Sequence, residues 1–164
     1  MKRIMEGQVH LIQLFEQREI EIIGMATNAL DRAHLTHYDE AGVEQNKTRL
    51  QALFDVMLQC IKDRNLAAMI DYAEDLAQER FASGFDLCEV QMAFNVLEEA
   101  IWQQIINECS PSQLAEALGL VSTMHGVGKD ALARKYVSLA SQTKVPSLNL
   151  QALMKSMDDL KMRE

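Results

Sequence analysis

The stretch "ERFASGFDLCEVQMAFNVLEEAIWQQI", residues 79–105, constrains the fold more than any other part of the chain. Gly84 stands where a helix must stop, because the residue after a C-cap usually takes a left-handed conformation that glycine adopts at little cost. Phe85 follows as a hydrophobic staple. "DLCE" then has the form of a capping box, in which Asp86 can bond the backbone N–H of Glu89 and Glu89 can reach back. From there Val90, Phe94, Leu97, Ile101 and Ile105 recur at spacings of four, three, four and four. Gln91, Asn95, Glu98 and Gln103 fall on the opposite face. A helix stop, a tight corner and a new amphipathic helix account for this segment, and they call for an all-α protein.

The flanking sequence repeats the theme. Ile4, Leu11, Phe15, Ile22, Ala26 and Leu30 keep a helical period over residues 3–33, which read as one long helix or two in line, with Gly7 and Gly24 as the places where it can bend. "LTHYDEAG" (35–42) reads as a polar turn. A second helix is expected from Val43 to Lys62, with Leu50, Leu53, Phe54, Met57 and Ile61 inward. Asn65 is placed to cap a third, running to Ser83 over Leu66, Met69, Ile70, Ala73 and Leu76. "CSPSQ" (109–113) signals another start, with Ser110 as cap and Pro111 in the first turn. That helix carries Leu114, Leu118, Val121 and Met124, and is expected to break or kink at "HGVG" (125–128). It resumes over Leu132, Tyr136, Val137 and Leu139. Two prolines and seven glycines are too few for the turns of an all-β chain.

"SQTKVPS" marks a linker, so the chain divides into a helical domain over 1–142 and a linker with a short C-terminal amphipathic helix over 143–164. Leu150, Leu153, Met157 and Leu160 in that tail have coiled-coil spacing. At 164 residues the chain can bury roughly 68–70% of its unfolded surface without a metal or disulfide. A net charge of −8 argues against nucleic acid or an anionic membrane as partner. Three cysteines, Cys60, Cys88 and Cys109, lack paired or metal-type spacing and fit a reducing, cytoplasmic setting. No segment has the pattern of a signal peptide or a membrane span.

Candidate chemistry is sparse. His34 and His37, with Asp39 and Glu40 close behind, have the spacing of a partial metal site on a polar turn. His125 is the histidine available for an axial haem bond, although Gly126 beside it weakens a helical setting. Cys88 lies in the first turn of a helix, where Asp86 and Glu89 oppose a thiolate. "GVGKD" (126–130) lacks the spacing of a phosphate loop. Glu74, Asp75, Glu98 and Glu99 lack the Glu-x-x-His companion of a bundle carboxylate site and read as solvated faces. No catalytic, cofactor or metal set can be assembled. Phe54, Met57, Phe94, Leu97, Ile101 and Trp102 are the residues that would line an apolar pocket or, for Trp102, a subunit interface.

Arg80, Gly84, "DLCE" and "VQMAFNVLEEAIW" (90–102) resemble the corner and following helix of the RsbRD-type N-terminal domain, the sensor domain of RsbR-like stressosome proteins. The resemblance extends over residues 10–141. It implies a globin-like helical bundle of about six helices that binds no haem, dimerises, and passes a signal to a regulatory partner or C-terminal output domain. It also implies that a fatty acid or similar apolar ligand is an acceptable occupant. No sulfate-transporter/anti-sigma-antagonist domain or kinase motif follows, so the phosphorylation chemistry of longer relatives does not transfer. The expected function is a non-catalytic sensor and dimerisation domain. The alternatives are a carrier of lipid, haem or tetrapyrrole, and a bundle enzyme with a metal at His34 and His37.

Overall fold

The computed structural model describes residues 2–143, and every regular element among them is helical. The order is α1 (Lys2–Arg32), α2 (Thr36–Ala41), α3 (Val43–Asp63), α4 (Ala67–Ala82), α5 (Leu87–Glu108) and α6 (Pro111–Thr143). Six helices in an all-α bundle fit the globin-like architecture expected from the sequence. Of the linker and tail expected over 143–164, Thr143 is the last residue of α6, and the remainder, with Leu150, Leu153, Met157 and Leu160, lies outside the described residues.

Local chemistry sets the helix ends. Asn65 Oδ1 accepts the Ala67 N–H at 2.9 Å, as its position before α4 predicts. At the other end of α4, Gly84 sits at φ +82°, its N–H donates to Phe81 O at 3.1 Å and the Phe85 N–H donates to Arg80 O at 3.0 Å. Those two bonds are the Schellman arrangement that satisfies the last carbonyls of a helix. Two residues later Asp86 and Glu89 close the capping box of α5, with the Asp86 N–H donating to Glu89 Oε2 at 3.0 Å. Ahead of α6, Ser110 donates its N–H to Gln113 Oε1 at 3.4 Å, and its hydroxyl reaches the same oxygen at 2.8 Å.

The layers then pack face to face. α1 lies against α5 and α3, and α6 lies against α4 and α5. Phe15, Ile22, Leu30, Leu50, Phe54, Met57, Met69, Phe94, Leu97 and Ile101 fill the centre. Ion pairs tie the outer edges: Arg18 to Glu108 between α1 and α5, Lys62 to Glu16 at 2.6 Å between α3 and α1, and Lys129 to Glu98 at 2.9 Å between α6 and α5. Surface pairs of this kind contribute little individually, but they fix the register of neighbouring helices.

The structure departs from two expectations, the polar turn at 35–42 and the break at "HGVG". The segment 35–42 contains the short helix α2, whose Tyr38 is buried against Phe85, with ring centroids 5.4 Å apart. Six residues make too few turns for periodicity to register. α1 is one long helix through Gly7 and Gly24, the first of the two readings of residues 3–33. α6 likewise runs 33 residues through "HGVG", a rod of roughly 50 Å. Along its second half Leu132 and Tyr136 are buried, whereas Val137 is 67% exposed.

The persistence of α6 has a packing cause. A Cβ on Gly128 would lie 2.8 Å from Phe94 Cε1 and 3.0 Å from Met69 Sδ, so side chains of α5 and α4 both press on α6 at this glycine. Gly126, two residues earlier, has nothing within 4 Å of its would-be Cβ. Alanine at the two positions should therefore act in opposite directions. Gly126→Ala is expected to stabilise by about 0.5–1 kcal/mol through helix propensity. Gly128→Ala is expected to lose about 1–2 kcal/mol, because overpacking against a buried ring exceeds that gain. Urea unfolding of the two variants checks both signs; a gain at both would mean that Phe94 and Met69 yield freely.

Candidate functional site

An apolar cleft of about 400 Å³ opens where α1, the C-terminal end of α3 and the first half of α6 meet. α1 contributes His10 and Leu11. Cys60 and Ile61 come from α3, and Arg64, Asn65 and Leu66 from the link to α4. Cys109 leads into α6, which adds Gln113, Glu116, Ala117, Leu120, Thr123 and Met124. The walls are aliphatic side chains and two thiols, with polar groups at the mouth. Burial pushes both thiols up from the ordinary cysteine range; at Cys109 the neighbouring Glu108 carboxylate adds to it. Neutral thiols are poor nucleophiles, so here they serve as apolar wall. Asn65 and Gln113 are partly engaged in capping bonds. Arg64 takes a left-handed φ of +52°, which turns the chain from α3 toward α4 at the cleft's edge.

None of the pocket residues expected from the helical faces lines this cleft. Phe54, Met57, Phe94, Leu97 and Ile101 are fully buried in the core, where Phe54 meets Phe15 edge-on at 6.3 Å. Trp102 is 39% exposed on the outer side of α5, one turn before Ile106 at 57%. A helical period identifies inward faces, and Leu11, Ile61, Leu66 and Met124 of those faces line the cleft together with groups from helix ends and links. Cys109 just before "SPSQ" and the "KDRN" link after α3 are the sequence signals that mark those ends.

The histidines separate. His34 is exposed and lies 3.8 Å from Asp39, while His37 turns away to Glu89. Among the described residues no group of three or more His, Cys, Asp or Glu side chains could hold a metal ion, so the structure does not assemble the His34–His37 site. Glu98 is drawn to Lys129, Glu74 and Asp75 face solvent, and Cys88 is exposed.

A second polar constellation surrounds the α4–α5 corner. Glu89 accepts the His37 backbone N–H at 3.3 Å and His37 Nδ1–H at 2.7 Å, besides the Asp86 N–H. The His37 ring stacks on Phe85 with centroids 4.5 Å apart. The Arg80 guanidinium lies 5.1 Å from the same ring and that of Arg49 5.4 Å from it. Tyr136 donates its hydroxyl to Phe85 O at 3.3 Å; burial holds that phenol at about 12, so it stays a neutral donor. These groups pin α2, α4, α5 and α6 to one point. They offer no nucleophile beside a base and serve as a structural knot.

No described helix is long and apolar enough to cross a membrane. Residues 25–140 match the family model of the RsbT co-antagonist protein rsbRD N-terminal domain. That span holds the corner and the α3 and α6 walls of the cleft, but not its α1 wall at His10 and Leu11. No curated protein matches the chain, and no solved structure does.

Proposed function

The chain belongs to the rsbRD N-terminal domain family, and from that premise we propose that it is a non-catalytic, cytoplasmic sensor domain that works as a homodimer. Its input is a small apolar ligand in the cleft, and its output passes along α6 to a regulatory partner or output domain. The observation that carries this reading is the double role of α6. Its first half lines the cleft from Gln113 to Met124, and the same unbroken helix continues to Thr143. A ligand wedged against the first half acts on a rod, and movement at one end appears at the other. The exposed Trp102 and Ile106 on the outer side of α5 supply the aromatic and aliphatic surface that a second copy would bury.

A lipid-type chain fits the cleft better than a tetrapyrrole ligated by His125, whose ring packs edge-on against Phe94 inside the core. Native mass spectrometry of gently purified protein, followed by titration with dodecanoate, tests the reading. A dimer with an added mass, or one that takes up dodecanoate, is expected. Leu120→Trp should fill the cleft from α6 and weaken dodecanoate at least tenfold, about 1.4 kcal/mol, with the dimer retained. A bare monomer that takes up nothing at millimolar ligand would remove the proposal.

A further inference from the structure

His125 is fully buried, and with Arg80, whose Nε has no acceptor, it is one of two buried polar side chains among the described residues with an unpartnered atom. Its Nδ1–H donates to Val121 O at 3.0 Å, one turn back along α6. That fixes Nε2 as a bare lone pair, and no donor reaches it. The ring stands edge-on to Phe94 of α5, with centroids 6.3 Å apart. The charged groups that act on it are Glu98 from α5 and Lys129 from α6, which oppose each other and are bound together at 2.9 Å. From α4 the neighbour at this level is the apolar Met69, packed on Gly128.

A proton added at Nε2 would create a cationic N–H with no acceptor in a dry seam, which is costly unless the ring moves. Two features lower the cost of moving. Gly126 directly follows the histidine with nothing within 4 Å of its would-be Cβ, and glycine holds a helix less firmly than any residue except proline. Glu98, whose side chain is 12% exposed, lies at the seam and can exchange Lys129 for an imidazolium.

We propose that His125 is a proton-operated release for the α5–α6 seam: when the imidazole is protonated it leaves its place beside Phe94, and α6 loosens from α5 between Val121 and Leu132. The site is near the middle of the helix that lines the cleft and runs on to Thr143, so acid acts on the same rod as a ligand. Burial lowers the pKa of His125 in the folded state, despite the opposing bond to Val121 O and the Glu98 charge. A group with a lowered basic pKa contributes stability at neutral pH that is lost as pH falls below its unfolded value of about 6.5.

Hydrogen exchange of the intact protein between about pH 7.5 and 5.5, corrected for intrinsic rates, tests this. Protection over 121–132 should fall roughly tenfold per pH unit below about 6.5, the slope of one proton. His125→Phe should abolish the slope. Glu98→Gln, which removes the imidazolium's alternative partner, should move the onset to lower pH. Flat protection in the wild type, or a slope that survives His125→Phe, overturns the proposal. If His125→Phe does not fold, the Cε1 proton resonance of wild-type His125 replaces it. A titration that coincides with loss of protection supports the release, and one that proceeds with the seam still protected refutes it.

Discussion

Glu89→Ala is expected to destabilise the protein by about 3 kcal/mol, lowering the melting temperature by roughly 6–12 °C for a chain of this size. The carboxylate is buried and accepts three donors: the Asp86 N–H at 3.0 Å, the His37 N–H at 3.3 Å and His37 Nδ1–H at 2.7 Å. Losing an acceptor leaves each donor short of a partner at about 1–3 kcal/mol when water is excluded. Asp86 is exposed and His37 partly so, which keeps the total near the lower end of that sum. Glu89→Gln, which preserves shape and one acceptor oxygen, should lose about half as much. Burial works to raise the Glu89 pKa, but the bonds from Asp86 and His37 outweigh it and leave the carboxyl below its ordinary value. The stabilisation is therefore complete above the usual carboxylate range and is lost as pH falls from about 4.3 through the folded value. Urea unfolding at neutral pH and along the acid limb checks both parts. A loss under about 1 kcal/mol, or an acid limb unchanged in Glu89→Gln, would show that water replaces the carboxylate freely.

Glu89 also shows how far the sequence reaches. Its capping role is local, written in four consecutive residues, and it was legible for that reason. Its other partner, His37, is 52 residues away. In the sequence that histidine stands in a polar stretch beside His34, and the spacing points to a metal; only the docking of α2 on the corner turns it to Glu89. The same division explains α6. "HGVG" is helix-poor by propensity, and the expected break follows from that alone. The contacts of Gly128 with Phe94 and Met69 are tertiary, and α6 runs unbroken through them where propensity alone points to a break. Inward faces were legible too, because Phe54, Met57, Phe94, Leu97 and Ile101 repeat with the helix. That repeat carries no information on whether such a face meets another helix or an opening. The cleft takes Leu11, Ile61, Leu66 and Met124 from such faces and combines them with the links at the end of α3 and the start of α6, a conjunction that no single helical period shows.

Phe94→Ala separates core from cleft and should have the largest effect of any single truncation considered, about 4 kcal/mol, or roughly 8–16 °C in melting temperature. The ring is fully buried, and its Cε1 fills the space that a Cβ on Gly128 would need. Opposite the lost ring stand a glycine and the flat edge of His125, which cannot collapse into the gap, so the cavity penalty is near its maximum. Phe94 does not line the cleft. At a temperature where the variant is folded, dodecanoate should bind as it does to the wild type, the reverse of Leu120→Trp. If Phe94→Ala instead lost binding and kept its stability, the ligand would sit among the helical-face residues and the cleft reading would fall. A second substitution sharpens the test. Gly128→Ala, destabilising alone, should become stabilising by about 1 kcal/mol in the Phe94→Ala background, since the added methyl then enters a void. A double-mutant cycle that came out additive would mean that α5 and α6 do not meet through this pair.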